Sequence, residues 1–490
     1  MKIQTSLQEF EENAVKYNFL PVHAVAFGDR ETPVSLYEKL VGEEEGFLLE
    51  SAEANKHFGR YSFIGFNPLC VVTGYKDKTT IAYSDGEKQE IVCPPVDALR
   101  QVMQMYKAPV IAGLPPFCGG MIGYLAYEAA TTWERIRGLA VSPEEILTQT
   151  MLCRDIVILD HLSHNLYCVT WAKTSENIQQ VYQEACLHLR KLAKKISLPV
   201  KTLGAGEVFT ANTVFQPDEQ LYCNNVDKIK EYIANGDTYQ TVLSHQFKRL
   251  LPVHAFALYR KLRSANPSPY MFYLNFGRKK LVGASPEMLV RVLGKNVTTY
   301  PIAGTRPRGQ TTQEDKVLSE ELLLDKKEVA EHSMLVDLGR NDIGRVSKPG
   351  SVRVSRFKEI EYFSHVMHIV SEVQGELAQG HDSFDALKAC FPAGTVSGAP
   401  KLRAMEIIAA LEQKKRGVYA GAVGYWDFGG NMDTCIAIRT MSIEDDVVTV
   451  QGGAGIVADS QPENEVREVR QKTKVLLDLL EDEKNYAYIN

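Results

Sequence analysis

The sequence predicts an α+β fold, and three observations carry that prediction. Apolar runs of strand length, punctuated by turn residues, dominate the first half. Helical and strand patterns alternate in mixed order through the second. Successive strand patterns lie close enough in sequence to be hairpins, which favours antiparallel pairing over a doubly wound parallel sheet.

Taken in order, GFLLESA (46–52) and RYSFIGF (60–66) are apolar strands, and NPLCVVTGY (67–75) leads to TTIAYSDG (79–86), closed by a turn. Residues 155–172 have a hairpin pattern with a polar turn at 161–165, so His161 and His164 are expected as turn residues rather than metal ligands. A long helix is expected from an N-cap at Ser175 to about Ile196. Residues 197–220 lose helical periodicity and gain Pro, Gly and Thr, the pattern of a linker. Beyond it, 227–235 is helical in pattern, and YQTVLSHQF and MFYLNF are strand-like. LVGASPEMLVRV and NVTTYPIAGT follow as a strand pair. A capping signature, Thr311 to Glu314, opens a helix expected to reach about Val336. KLRAMEIIAALEQ (401–413) is amphipathic, DTCIAIRTMSI and DVVTVQGGAG are strands, and a last helix spans about Glu463 to Leu480.

At 490 residues, 44% of them hydrophobic, the chain can bury a substantial core in roughly two or three domains. A net charge of −6 leaves no basic surplus for nucleic acid or anionic lipid. The acidic, polar start has no signal- or transit-peptide pattern, and no apolar run approaches the ~18 residues of a membrane span. Nine scattered cysteines without a C-x-x-C pair argue against a zinc site or disulfide framework. A cytoplasmic protein is therefore expected.

The chemistry concentrates between Pro301 and Glu468, in PIAGTRPRG (301–309), EVAEHSMLVDLGRND (328–342), FPAGTVSGAPK (391–401), AGAVGYWDF (420–428) and GGAGIVADSQPENEVREV (452–469). Glycine-rich turns that lead into helices offer outward N–H groups to anions. Glu328/Glu331 and Glu465/Glu468 each set two carboxylates on one helical face, a donor set suited to Mg2+. Gly453-Ala454-Gly455 formally matches a dinucleotide fingerprint, but the second strand and later acidic residue that a nicotinamide site requires are missing, so a turn admitting substrate is expected. Thr395 or Ser397 could cap the 401–413 helix, or its N-terminus could receive a carboxylate. Arg306, Arg308 and Arg439 are candidate anion partners, Arg439 because a charge inside an apolar strand needs one. His368 fits either a satisfied core position or an acid/base.

Together these runs resemble the chorismate-utilising enzymes, most closely their anthranilate synthase component I branch, over almost the whole chain. PIAGTRPRG, AEHSMLVDLGRNDIGR, FPAGTVSGAPK, GAVGY, NMDTCIAIRT and GAGIVADS carry the resemblance in the second half. LLES (48–51), GRYSFIGFNP (59–68) and PPFCGGMIGYLAYE (115–128) carry it in the first. Where aminodeoxychorismate synthases typically place a nucleophilic lysine this chain has Ala303, and where isochorismate and salicylate synthases place a lysine base it has Gln240. Both positions point to ammonia as nucleophile.

The resemblance implies large antiparallel sheets packed as a sandwich and flanked by helices, with an N-terminal domain at 1–200 carrying tryptophan-regulatory elements and a chorismate-binding catalytic domain at 218–485. It implies that Gly304, Thr305, Tyr419, Arg439, Gly453, Ala454 and Gly455 bind chorismate with Thr395 nearby in the catalytic group, and that His368 and Glu287 act as acid and base. It implies Mg2+ held by Glu331 and Glu468, with Glu328 and Glu465 completing the shell. Ser51 and Pro269-Tyr270-Met271 match a regulatory site for L-tryptophan. No glutamine amidotransferase nucleophile elbow is recognisable in the chain, which implies a separate glutaminase subunit that supplies ammonia. His245-Gln246 and the 127–138 segment depart from the family pattern. The alternatives within the class are synthesis of aminodeoxyisochorismate or a lysine-less aminodeoxychorismate synthase, and outside it a non-catalytic tryptophan or chorismate sensor.

Overall fold

In the computed structural model, residues 1–51, 59–200, 203, 213–251, 254–363 and 366–481 are described. The strand Thr148–Asp160 organises the molecule, because different parts of it pair with different strands. Along one side it pairs with Tyr61–Gly74, and an antiparallel run continues through Gly46–Glu50, Tyr270–Phe276, Lys279–Ser285, Thr440–Glu444 and Val447–Ile456 to Gln240–Leu250. Its first residues also pair with Gly120–Leu125, from which a second run passes through Ala422–Asp427, Met432–Ile436, Met288–Leu293 and Asn296–Thr299 to Val366–Glu376.

The two runs face each other. Phe47, Phe272 and Leu274 from the first share a buried cluster with Tyr124, Val423 and Trp426 from the second. The alternate residues Leu48, Met271 and Tyr273 point the other way, into a second cluster with Tyr37, Phe256, Tyr259 and Leu476 on the flanking helices. Both faces of these strands are thus covered, so GFLLE and MFYLNF are continuously apolar instead of alternating. This is the expected α+β sandwich, and strands from before and after residue 200 hydrogen-bond within it.

Several expected boundaries move. The helix expected from Ser175 is Ile178–Ile196, capped by Asn177, whose side chain accepts from Gln180 N. The helix expected at 227–235 begins earlier, as Glu219–Ala234, because Asp218 accepts from Gln220 N and Leu221 N and so starts it. Residues 201–202 and 204–212 of the expected linker lie outside the described residues. The helix expected from Thr311 to Val336 is two, Thr312–Leu324 and Lys326–Gly344. Asp325 between them is extended, and its carboxylate accepts from Lys327 N and Glu328 N, so it ends one helix and caps the next.

Candidate active site

The strand Ile302–Pro307 pairs with Val366–Glu376, and the register slips by one residue at Gly304, whose φ is +71°. The bulge brings Thr305 opposite His368, whose Nδ1 lies 3.0 Å from Thr305 Oγ1 and 3.1 Å from Gly304 O. A carbonyl only accepts, so Nδ1 carries the proton and Nε2 keeps its lone pair. Burial holds the His368 pKa below the usual imidazole value, with the Gly304 bond opposing.

Glu287 precedes the strand Met288–Leu293 and shares a small recess of about 40 Å³ with Thr395. Burial pushes its carboxyl up to about 7, while the Thr395 hydroxyl and the Lys472 ammonium draw it back. Thr395 Oγ1 lies near enough to favour the carboxylate without reaching hydrogen-bond geometry, and it has no other partner among the described residues. Neither Thr395 nor Ser397 caps the helix that follows, Lys401–Glu412. Thr395 sits in the 3-10 turn Gly394–Val396, and Ser397 Oγ donates to Ala393 O.

Gly453, Ala454 and Gly455 are interior residues of the strand Val447–Ile456 rather than the expected turn. Their small size makes room for site side chains. A Cβ at Gly453 would lie 2.7 Å from the Tyr419 hydroxyl oxygen, and one at Gly455 would lie 2.4 Å from Gln240 Nε2. Gln240 Nε2 donates to Glu331 Oε1 at 3.1 Å, and its buried Oε1 has no hydrogen-bond partner among the described residues. Tyr419 is buried, which raises its hydroxyl pKa to about 12 and keeps it a neutral donor.

Arg439 is not inside a strand as expected. It lies between Met432–Ile436 and Thr440–Glu444 at φ +51°, and its guanidinium donates to Lys472 O. Burial disfavours its charge, while Tyr419 and Glu468 favour it. The other two candidate arginines are engaged elsewhere. Arg308 is bidentate to Asp315, and Arg306 binds Asp325 at 2.8 Å with Glu328 at 3.8 Å. Lys472, which the motifs did not single out, reaches Glu468 Oε1 at 2.6 Å and Gly453 O at 3.1 Å. Its signal was its position one helical turn beyond Glu468 in Pro462–Glu481.

Glu328 and Glu331 lie at the start of Lys326–Gly344, and Glu465 and Glu468 at the start of Pro462–Glu481. Burial and then Glu331 raise the Glu328 pKa. Burial also raises that of Glu465, which feels both Glu468 and Lys327, so the two helix starts are electrostatic neighbours. Among the described residues no three His, Cys, Asp or Glu side chains stand grouped as a metal cage. The all-oxygen donors and their mutual repulsion nevertheless fit a hard divalent cation that binds partly through water and substrate oxygens.

A separate cavity of about 390 Å³ is lined by Ser51, Pro269, Tyr270 and Met271, with Arg291 and Asp433. Antiparallel pairing of Met271 with Glu50 brings the two motifs together across some 220 residues of sequence. Tyr270 donates to Asp433 at 2.9 Å, Arg291 binds the same carboxylate at 2.9 Å, and the buried Ser51 hydroxyl has no hydrogen-bond partner among the described residues. The turn histidines are structural as expected, with His161 Nε2 2.8 Å from Ser62 Oγ and His164 at φ +56°.

The profile of the chorismate binding enzymes matches residues 44–478. Anthranilate synthase component 1 from Acetivibrio thermocellus is 43% identical over 97% of this chain and 98% of its own. The same component from Aquifex aeolicus (strain VF5) is also 43% identical, over 98% of each chain. The crystal structure of anthranilate synthase component I from Streptococcus pneumoniae TIGR4 superposes with a TM-score of 0.73 at 35% identity, covering 91% of this chain and 98% of that one. The menaquinone-specific isochorismate synthase of Escherichia coli, at 21% identity and TM-score 0.69 over 97% of this chain and all of its own, shares the fold.

Proposed function

The chain belongs to the anthranilate synthase component 1 family of chorismate-binding enzymes, and from that membership we propose that it converts chorismate and ammonia to anthranilate and pyruvate, the first step of tryptophan synthesis. The observation that carries this reading is the hydrogen bond from Gln240 to Glu331, with Ala303 in the strand that pairs with the His368 strand. Neither side chain can attack the ring or deprotonate water, and ammonia needs no such activation.

Arg439 and Lys472 supply charge for the substrate carboxylates, the Tyr419 hydroxyl a neutral donor, and Gly304-Thr305 and Gly453–Gly455 a close-fitting backbone. Glu331 and Glu468 would hold Mg2+ with Glu328 and Glu465 behind them, and the bound ion supplies positive charge to the ring carboxylate. Ammonia forms the new bond at C2 while the C4–O bond breaks. Glu287, poised near neutrality, can deliver the proton that leaves with the hydroxyl. The new ammonium gives up a proton, the ring loses its C2 proton as the enolpyruvyl C3–O bond breaks, and a proton taken up by the methylene carbon of the departing enolpyruvate gives pyruvate beside the aromatic product. Neutral His368 offers Nε2 as a proton acceptor.

The cavity at Ser51 and Tyr270 supports inhibition by L-tryptophan, and the name component 1 in the relatives supports a glutamine amidotransferase partner as the ammonia source. No helix among the described residues is long and apolar enough to cross a membrane, and a cytoplasmic site of action suits this chemistry.

The test is purified chain alone with chorismate, Mg2+ and excess ammonium at alkaline pH, following anthranilate fluorescence and pyruvate with and without tryptophan. Equal yields of both, suppressed by tryptophan, are expected. A non-aromatic amino product without pyruvate would make the chain an aminodeoxyisochorismate or aminodeoxychorismate synthase, and absence of turnover with retained tryptophan binding would make it a sensor. Glu468→Gln should reduce turnover at least a hundredfold, and calorimetry should show weakened Mg2+ binding in a folded protein. Wild-type Mg2+ affinity in that variant would remove Glu468 from the metal site.

A further inference from the structure

We propose that Arg416 is a positioning residue for this reaction, holding the Thr395 turn, the Gln240 strand and Tyr419 in one frame, and that Glu128 fixes it from the first half of the chain. The inference rests on the reading that those three segments line the substrate site.

Arg416 has a side chain only 1% exposed. Its guanidinium donates to Val396 O at 2.6 Å, one residue from Thr395, and to Val242 O at 2.7 Å, two residues from Gln240. The remaining bonds go to Glu412, from Nε at 2.9 Å and from Nη2 at 2.6 Å. Glu412 is itself held by Ser244 N and Oγ, at 2.8 and 2.7 Å. The guanidinium lies over the rings of Tyr127 and Tyr419, 4.8 and 5.6 Å from their centroids, and Tyr419 N donates to Arg416 O. One planar cation therefore touches every segment that brings Gln240, Thr395 and Tyr419 to the site.

Glu128 anchors the base of this arrangement. It is fully buried, and its two oxygens accept from Arg416 N at 2.7 Å and Gly417 N at 3.0 Å. Tyr127 N returns a bond to Gly417 O at 2.8 Å. The 127–138 segment that departs from the family pattern thus begins with the residues that clamp the turn ahead of Tyr419.

A buried ion pair is a weak device for stability, since two desolvated charges offset most of their attraction. What a guanidinium adds over an apolar side chain is direction, because its donors leave in a fixed plane. Lysine, a point charge on a flexible stem, can keep Glu412 company but cannot span both carbonyls.

The test compares the parent with Arg416→Lys and Glu128→Gln in steady-state kinetics with ammonium, with thermal melting and tryptophan binding in parallel. The expected result for Arg416→Lys is a rise of about tenfold or more in the chorismate KM, with tryptophan affinity unchanged, and a smaller rise for Glu128→Gln. A purely structural role predicts a lower kcat from a reduced active fraction with KM unmoved, and that result would overturn the proposal, as would failure of both variants to fold. A parent that does not consume chorismate would remove the premise, whereas an active parent beside variants of unchanged KM would remove only this inference.

Discussion

Burial acts on Glu287 and His368 with opposite sign, as the division of proton work proposed for them requires. Withdrawing a group from water disfavours its charged form, so the carboxyl rises to about 7 and the imidazole falls below its usual value. At neutral pH one can hold a proton and the other can accept one. The consequence for stability follows from linkage. Unfolded, Glu287 releases its proton near 4.5; folded, it keeps it to about 7. Between those values the native state binds the extra proton, so stability falls as pH rises through the window and is level above it. Glu287→Gln removes that dependence. Urea denaturation from pH 4 to 8 should show the parent losing roughly 2 to 3 kcal/mol that the variant keeps, after discounting for partial solvent access. Activity should fall by about 10²- to 10⁴-fold. Equal pH slopes in the two proteins would mean that Glu287 ionises normally in the fold.

At the scale of elements, strands were legible where both their faces are apolar, as in Gly46–Glu50 and Tyr270–Phe276, because composition alone marks them. The break at Asp325 was not, since a continuous helical pattern gives no warning that one carboxylate will cap a new helix. The expected turn at 453–455 failed for a related reason. Glycine is needed both for turns and for close approach, and here Tyr419 and Gln240, remote in sequence, take the space. Arg439 was placed in a strand because its neighbours are apolar, yet they bury it in the gap between two strands, where its guanidinium meets the final helix. The Ser51 and Pro269–Met271 motifs were legible singly, but their meeting depends on the register between Gly46–Glu50 and Tyr270–Phe276, which no local pattern reveals. That register makes a prediction. Ser51→Phe should fill the cavity from the end of its strand, raising the tryptophan concentration for half-inhibition at least tenfold while kcat with ammonium stays within about twofold. An unchanged inhibition curve would place tryptophan elsewhere.

Over the whole molecule, the sheet runs do not respect the chain's midpoint. Gly46–Glu50 pairs with Tyr270–Phe276, Gly120–Leu125 pairs with Ala422–Asp427, and the same buried cluster takes residues from both halves. Polar ties cross the same divide, for Glu128 accepts from the Arg416 turn and Arg100 is bidentate to Asp382. Separating the halves would expose strand edges with unpaired N–H and C=O groups and large apolar faces at once, a penalty that small linker-joined domains never meet. Unfolding is therefore expected as one cooperative transition, with calorimetric and van't Hoff enthalpies in agreement. Ligands at either site should raise that single transition by mass action, whichever half they touch. Two resolved transitions, only one of them moved by tryptophan, would show that the shared strands do not couple the halves. The proposed inhibition by tryptophan would then need a route other than the sheet, whereas a single transition leaves the paired strands as the physical connection between the Ser51 cavity and the Glu287 recess.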